Sequence, residues 1–259
     1  MVQSVNRTLD ILEALSQTEG GLGVTQLSIK VVLSKSTVHR LLSVLARRGY
    51  VIKDLGANKY CLGHKVFELG HNMDRYQRLA KIASPFIEQM VARYGGTVNL
   101  GILDENTVLF LTSQKGPFST RMQSSTSHRG YINSTALGKA LLAYLPKDEI
   151  NLLLKRIKLK PITPKTITSI TKLKEEVKKI RNQGYAVDDE EDAIGYRCVA
   201  VPLIIDRKAI AAVSVSGASS LITLDSISGM AVFMKKMTSE IVEELQQTKN
   251  NLNWDKKWF

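Results

Sequence analysis

The sequence predicts an α+β chain in two parts. A small helical domain closed by a hairpin comes first; beyond residue 63 a larger domain alternates antiparallel hairpins with helices. Three observations carry this reading. Apolar residues recur at helical spacing in three short stretches before residue 46. Tyr50-Val51-Ile52 and Tyr60-Cys61-Leu62 then face each other across the turn-rich Asp54-Leu55-Gly56-Ala57-Asn58. Further on, the strand-like runs 97–103 and 107–113, and again 198–205 and 209–216, meet at polar turns with helical stretches between them.

The first helix rests on Val5, Leu9, Leu12 and Leu15, and Gly20-Gly21-Leu22-Gly23 separates it from the second. The second opens at Thr25-Gln26-Leu27-Ser28 and runs through Leu27, Val31 and Val32. Only Leu33 and Ser34 precede the third, so the chain must turn sharply there. In the third, Val38, Leu41, Leu42 and Leu45 fall at i, i+3, i+4 and i+7 and form one apolar stripe. Lys35, Ser36, Thr37, His39 and Arg40 gather near its N-terminal end, with Ser34 or Ser36 as N-cap. Alone, this is an ordinary amphipathic surface helix. Two short helices joined by a tight turn, however, make a helix-turn-helix, whose second helix enters the major groove by its N-terminal residues. The uncapped N–H groups and positive dipole end there suit phosphate. His39 fits a phosphate contact better than base reading. Three helices and a hairpin in that order read as a winged helix, with Lys53 and Lys59 flanking the tip of the wing.

Composition supports a nucleic-acid partner without locating it. The 259 residues carry a formal net charge of +12. Residues 28–65 and residues 147–181 each hold +7, so charge alone does not name the DNA face. The second cluster reads as solvated faces of two helices because it has no reading element. Cys61 and Cys198 suggest no disulfide framework, and with four scattered histidines they give no metal-ligand spacing. No cofactor is expected. The first residues contain no apolar leader core, and no stretch has the length of a membrane span, so a reduced cytoplasmic setting is expected.

The remaining elements follow in order. A connecting helix at 64–73, within a linker at 64–77, has Val66, Phe67 and Leu69 on its apolar side. A longer helix at 78–93 uses Leu79, Ile82, Phe86 and Met90. The first hairpin turns at Asp104-Glu105-Asn106, helices are expected at 135–145, 148–156 and 172–182, and the second hairpin turns at Asp206-Arg207-Lys208. A last helix covers 225–249. The expected domains are therefore 1–63 and 78–250, with a tail at 251–259. Such a sheet can hold a small ligand between its face and the loops that cross it.

The chain resembles the IclR family of bacterial transcription regulators over nearly its whole length. In the first domain the carriers are Ser36-Thr37-Val38-His39-Arg40-Leu41-Leu42 and Arg48-Gly49-Tyr50-Val51. In the second they are Thr135-Ala136-Leu137-Gly138-Lys139-Ala140-Leu141-Leu142-Ala143, Thr166-Ile167-Thr168, Gly184-Tyr185-Ala186-Val187-Asp188-Asp189-Glu190-Glu191 and Val213-Ser214-Val215-Ser216-Gly217. The resemblance implies a winged helix-turn-helix, a connecting helix and a GAF-like effector-binding domain, assembled as a homodimer or tetramer. It also implies that a small oxo- or hydroxy-acid controls operator affinity. The acid's carboxylate would meet the backbone N–H groups of Ala136 and Leu137, and its other end Asp188, Cys198, Ser214 and Ser216. Ser214 and Ser216, two apart on a strand, share a face. Asp188 beside a bound carboxylate must meet a hydroxyl or be protonated. One departure stands out: Tyr131-Ile132-Asn133 replaces the family's frequent Pro-Leu-His.

Two other classes compete with this reading. An enzyme using Cys198 as nucleophile lacks a His or Asn placed to activate it, so no catalysis is expected. A winged-helix protein whose second domain serves only assembly, without ligand, is the alternative.

Overall fold

The computed structural model describes residues 2–71, 74–119 and 129–251. The described chain forms two compact units, one running to Gln77 and the other starting at Arg78.

In the first unit, α1 (Gln3–Ser16), α2 (Val24–Lys30) and α3 (Lys35–Arg47) surround a core of Ile11, Leu15, Leu27, Val38, Leu42, Leu45, Val51 and Tyr60. The strands β1 (Val51–Asp54) and β2 (Lys59–Leu62) form an antiparallel ribbon, Val51 opposite Leu62 and Asp54 opposite Lys59. Leu22 ties the loop after α1 to this ribbon: its N–H donates to the Tyr60 carbonyl (3.0 Å) and its carbonyl accepts from Tyr60 N–H (2.9 Å). Gly21 makes that approach possible. Its φ is +74°, and a Cβ there would lie 2.5 Å from the Tyr60 oxygen.

The expected stripes shift in two places. On α1 the core takes Ile11, Ala14 and Leu15, whereas Val5 and Leu9 are about half exposed, at 52% and 49%. Val32 is not helical: α2 stops at Lys30, and Val32 sits in the turn with φ 52° and 87% of its surface exposed. The connecting helix α4 (His64–His71) buries none of its residues, and Phe67 is 77% exposed. Its expected last residue, Met73, lies outside the described residues, as does most of the expected C-terminal tail.

The second unit is a six-stranded antiparallel sheet with helices on both faces. The strands are β3 (Thr97–Asp104), β4 (Thr107–Lys115), β5 (Arg129–Tyr131), β6 (Ala186–Asp189), β7 (Tyr196–Ile205) and β8 (Lys208–Ala218), in spatial order β5-β4-β3-β8-β7-β6. The two long hairpins match the sequence reading. β7 and β8 turn at Asp206 and Arg207, both with positive φ (51° and 66°), as a right-twisted two-residue hairpin loop requires. The two edge strands, β5 and β6, were not legible in the sequence.

Alternation along the strands divides the sheet's faces. Val98, Leu100, Val199, Val201, Val213 and Val215 are buried on one. That face packs α9 (Ile227–Asn251), which meets α5 (Asp74–Tyr94) where Tyr94 and Phe233 stand edge to face at 5.9 Å. α5 buries Leu79, Ala83, Ile87 and Met90, leaving the expected Ile82 and Phe86 half-buried on its flank. The other face carries smaller and polar side chains and is covered by α6 (Ala136–Ala143), behind which α8 (Ile170–Gln183) packs, with α7 (Lys147–Arg156) contributing Ile150 and Leu154 to the same core. All eight residues of α6 are buried.

Candidate functional site

Two places in the molecule bring chemistry together, one in each unit. The first is the N-terminal end of α3. Ser34 is the N-cap: its Oγ accepts from Thr37 N–H (3.2 Å) and shares hydrogen bonds with the Ser36 (3.0 Å) and Thr37 (2.9 Å) hydroxyls. The apolar stripe is driven into the core at Val38, Leu42 and Leu45, so Lys35, Ser36, His39 and Arg40 are left exposed and Thr37 half-buried. The first turn carries no acid, and neither Lys35 nor Arg40 has an ion-pair partner among the described residues. Dipole, free N–H groups and two unneutralised cations therefore act in the same direction, toward an anion.

The hairpin contributes less convergently. Asp54 Oδ1 accepts from Gly56 N–H (2.9 Å) and Ala57 N–H (3.1 Å), which builds the tip. Lys53 lies opposite Tyr60, with its Nζ 5.8 Å from the ring centroid, while Lys59 lies opposite Asp54. Neighbouring pairs in the register point to opposite faces, so the two lysines flank the ribbon rather than share a face.

The second place is a cavity of about 490 Å³ on the polar face of the sheet, lined from both edge strands and from the middle. Arg129, Gly130 and Tyr131 of β5 stand at one side and Asp188 of β6 at the other, so the sheet curls around it. The register builds the floor. Asp188, Cys198, Ser216 and Thr97 form one cross-strand row, and Ala200, Ser214, Asn99 and Ser113 form the next. The start of α6 closes it with Thr135 and Leu137. Thr135 is the N-cap of α6: its Oγ1 accepts from Gly138 N–H (3.1 Å) and donates to the Tyr131 carbonyl (2.7 Å). Gly138 allows the chain before it to lie against the helix, since a Cβ there would sit 2.5 Å from Ile132 Cα.

The expected ligand residues separate here. Leu137, Asp188, Cys198 and Ser214 line the cavity; Ala136 and Ser216 are buried and do not. Ser216 Oγ is already engaged, donating to the Thr97 carbonyl (3.2 Å). Ser214 differs. It is 1% exposed, and its hydroxyl, beside the Cys198 thiol, completes no hydrogen bond of ordinary geometry among the described residues. Burial pushes the Cys198 thiol well up, with nearby Asp188 adding to it, which disfavours the thiolate.

Asp188 has two tasks. Its Oδ1 accepts from Glu191 N–H (2.7 Å) and Asp192 N–H (3.2 Å), which folds the acidic turn after β6. Burial pushes its carboxyl up to about 7, against the pull of Lys139 and of the backbone hydrogen bond. Near neutrality it can thus hold or release a proton.

Sequence reasoning missed the support behind this wall. Lys139 is fully buried, and its Nζ is paired with Glu191 Oε1, whose companion Oε2 has no partner. Ser134 donates to Asp192 (2.6 Å), Thr166 to the Glu191 carbonyl (2.6 Å), and Asn133 Nδ2 to the carbonyls of Lys160 and Ile167 (both 2.9 Å). The departure at 131–133 therefore has a structural role: Asn133 latches the loop before α6 to the segment before α8. No three side chains among the described residues form a metal site, and no described helix is long and apolar enough to cross a membrane.

A helix-turn-helix unit with an exposed basic end, and an α/β unit enclosing a small cavity, are the combination found in two-domain transcription regulators. Comparison with known proteins agrees. The profile of the IclR helix-turn-helix domain matches residues 4–55, and that of the bacterial transcriptional regulator IclR C-terminal domain matches residues 72–248. The regulator KdgR of Escherichia coli K12 is 37% identical over 206 residues, covering 80% of this chain and 78% of that one. The transcriptional repressor IclR of the same organism is 30% identical over 243 residues, covering 93% and 89%. The crystal structure of Thermotoga maritima IclR superposes with a TM-score of 0.77 at 32% identity, covering 95% of this chain and 99% of that one. A Microbacterium hydrocarbonoxydans IclR homologue complexed with 4-hydroxybenzoate shares the fold, with a TM-score of 0.84 at 20% identity and coverage of 94% and 99%. The chain belongs to the IclR family of DNA-binding transcriptional regulators. It is a regulator and not an enzyme.

Proposed function

We propose that a small oxo- or hydroxy-acid, bound in the cavity of the second unit, sets the affinity of the winged helix for its operator. The observation that carries this is the Ser214 hydroxyl, buried on the cavity wall without a completed hydrogen bond. A buried hydroxyl left so is costly, and a ligand that supplies its partner recovers that cost. The acid's carboxylate lies at the start of α6, where the first N–H groups have no acceptor within the helix. Its oxo or hydroxy group meets Ser214 and Asp188, whose raised pKa lets it hold a proton near neutrality. The ligand of the Microbacterium relative, 4-hydroxybenzoate, pairs a carboxylate with a hydroxyl in the same way. Here a short acid is favoured because Asn99 and Ser113 follow Ser214 along its cross-strand row and add hydrogen-bonding groups to the floor. The acid can alter DNA affinity only by preferring one arrangement of the regulator, so the two affinities are linked reciprocally.

The DNA-contacting residues in this proposal are Lys35, Ser36, Thr37 and Arg40 at the start of α3, Arg40 meeting a phosphate as do His39, Lys53 and Lys59. One recognition helix reads few base pairs, so two protomers act on a site with two-fold symmetry. Val2, Val5 and Leu9, exposed by 66%, 52% and 49% along one side of α1, supply the apolar surface for that pairing.

The test is a thermal-shift screen of short organic acids followed by calorimetry. Ser214→Ala should weaken the acid that stabilises wild type by roughly 10- to 150-fold, the worth of one hydrogen bond to a strongly polar ligand. Its folding stability should be unchanged or slightly raised. Equal affinity in wild type and Ser214→Ala would remove the cavity from the proposal. If no acid binds wild type, the second unit serves assembly alone.

A further inference from the structure

Val32 breaks a rule that its neighbours keep. Among the described residues the non-glycine positions with positive φ are Val32, Asn58, Glu105, Glu190, Asp206 and Arg207. All but Val32 are polar residues of turns. A β-branched side chain at φ 52° is a steric outlier, because its branched carbons crowd the backbone in the left-handed region. Turns of this motif often use glycine for that reason. The left-handed conformation closes the C-terminal end of α2, but the valine side chain gains nothing from it: Val32 is 87% exposed, so its isopropyl group packs against no core. The backbone there is held from both sides, Val32 N–H donating to the Ile29 carbonyl (3.4 Å) and Leu33 N–H to the Ser28 carbonyl (3.0 Å). Glycine or asparagine would serve that cap without strain, so a solvent-facing valine side chain that packing does not use points to a use outside the folded chain.

Its position narrows that use. Val32 stands two residues before the N-cap Ser34, at the end of α3 that carries the exposed Lys35, Ser36 and Arg40. That end of a recognition helix approaches base edges. The apolar feature that the major groove offers is the C5-methyl of thymine. Ile29, one turn earlier in the chain and 74% exposed, extends the same apolar edge.

We infer that Val32 is a specificity-determining residue of the DNA interface, its isopropyl group packing on a thymine methyl beside the bases reached by α3. The inference rests on α3 being the recognition helix, and the experiment separates the two ideas. Full-length protein selects a binding duplex from a random pool, and each thymine of that duplex is replaced in turn by deoxyuridine, which lacks only the methyl. In wild type, one replacement per half-site should weaken binding about fourfold, the factor for uncovering one methyl group. Val32→Asn, whose side chain tolerates the left-handed region, should melt at a higher temperature than wild type yet bind the thymine duplex about fourfold more weakly, and deoxyuridine at that position should cost it nothing further. Val32→Thr keeps shape and strain while exchanging one methyl for a hydroxyl, and should fall between the two. Arg40→Ala should weaken binding to thymine and deoxyuridine duplexes alike. The inference is overturned if Val32→Asn keeps wild-type affinity, keeps the wild-type deoxyuridine profile, or melts no higher; the first result would direct the exposed valine toward a protein contact instead. If Arg40→Ala also binds as wild type does, α3 is not the recognition helix and the inference falls with it.

Discussion

The α3 and α6 helices begin with the same device and end in opposite situations. Each has a hydroxyl N-cap accepting from the N–H three residues on, Ser34 from Thr37 at 3.2 Å and Thr135 from Gly138 at 3.1 Å. Each leaves its first N–H groups without an acceptor in the helix, and so offers a site for an anion. On α3 Lys35, Ser36 and Arg40 beyond the cap are exposed, so that end is open to a polyanion. On α6 every residue is buried, and the helix start faces an enclosed cavity. Burial, not the local motif, decides which partner a helix start receives. It also decides what each helix tolerates, and that difference can be measured.

The largest effect should come from lysine. Lys139→Met leaves Glu191 buried without its cation, and should destabilise the protein by about 3–5 kcal/mol in urea denaturation. Lys139→Met with Glu191→Met should recover most of the loss, because removing both charges leaves nothing uncompensated. The same change on α3, Lys35→Met, should stay within about 0.5 kcal/mol. Equal costs at the two positions would show that the Lys139–Glu191 pair is not the buried support described here.

This contrast also marks what could be read from the sequence. α3 was legible because one side faces water: Val38, Leu42 and Leu45 stand out against polar neighbours. α6 was legible as a helix but not as a support, since burial on all sides erases periodicity and makes Lys139 look like any surface lysine. Its partner Glu191 lies 52 residues away, beyond any local pattern. The first two hairpin strands of the sheet and their mates, β3 with β4 and β7 with β8, announced themselves by long β-rich runs and polar turns. β5 and β6 span three and four residues, and each pairs on one side only, so too few positions alternate to signal a strand. Yet these edges hold Arg129, Tyr131 and Asp188, which is why the cavity's shape could not be anticipated. Ser214 and Ser216 looked equivalent by alternation; the Thr97 carbonyl, 119 residues from Ser216, distinguishes them. On α1 the expected stripe was real but split, Leu15 turning inward and Val5 and Leu9 outward.

The caps should give the intermediate effect. Thr135→Ala removes a hydroxyl that both accepts from Gly138 and donates to Tyr131 in a buried setting, and should cost about 2 kcal/mol. Ser34→Ala removes a cap that water can replace, and should cost about 1 kcal/mol or less. Chemical denaturation of the two variants checks the order. Thr135→Ala should also weaken acid binding, because the start of α6 then loses the loop it is tied to. A larger loss for Ser34→Ala would reverse the account of which helix start depends on its cap.

The smallest effect separates the two anion sites by salt. Each phosphate contact on α3 releases counterions, so the logarithm of operator affinity should fall linearly with the logarithm of salt concentration. Arg40 lies off the Val38–Leu45 stripe and is exposed, so Arg40→Ala should leave the fold intact and reduce that slope by about one unit. Acid binding beside α6 should respond little over the same range, because its charges meet inside a cavity where mobile ions screen poorly. Filter binding for the operator and calorimetry for the acid, both from 50 to about 200 mM salt, supply the two slopes. An unchanged operator slope in folded Arg40→Ala would remove Arg40 from the interface. A steep slope for the acid would mean that it binds at an open surface, and the distinction between an exposed and an enclosed helix start would not hold.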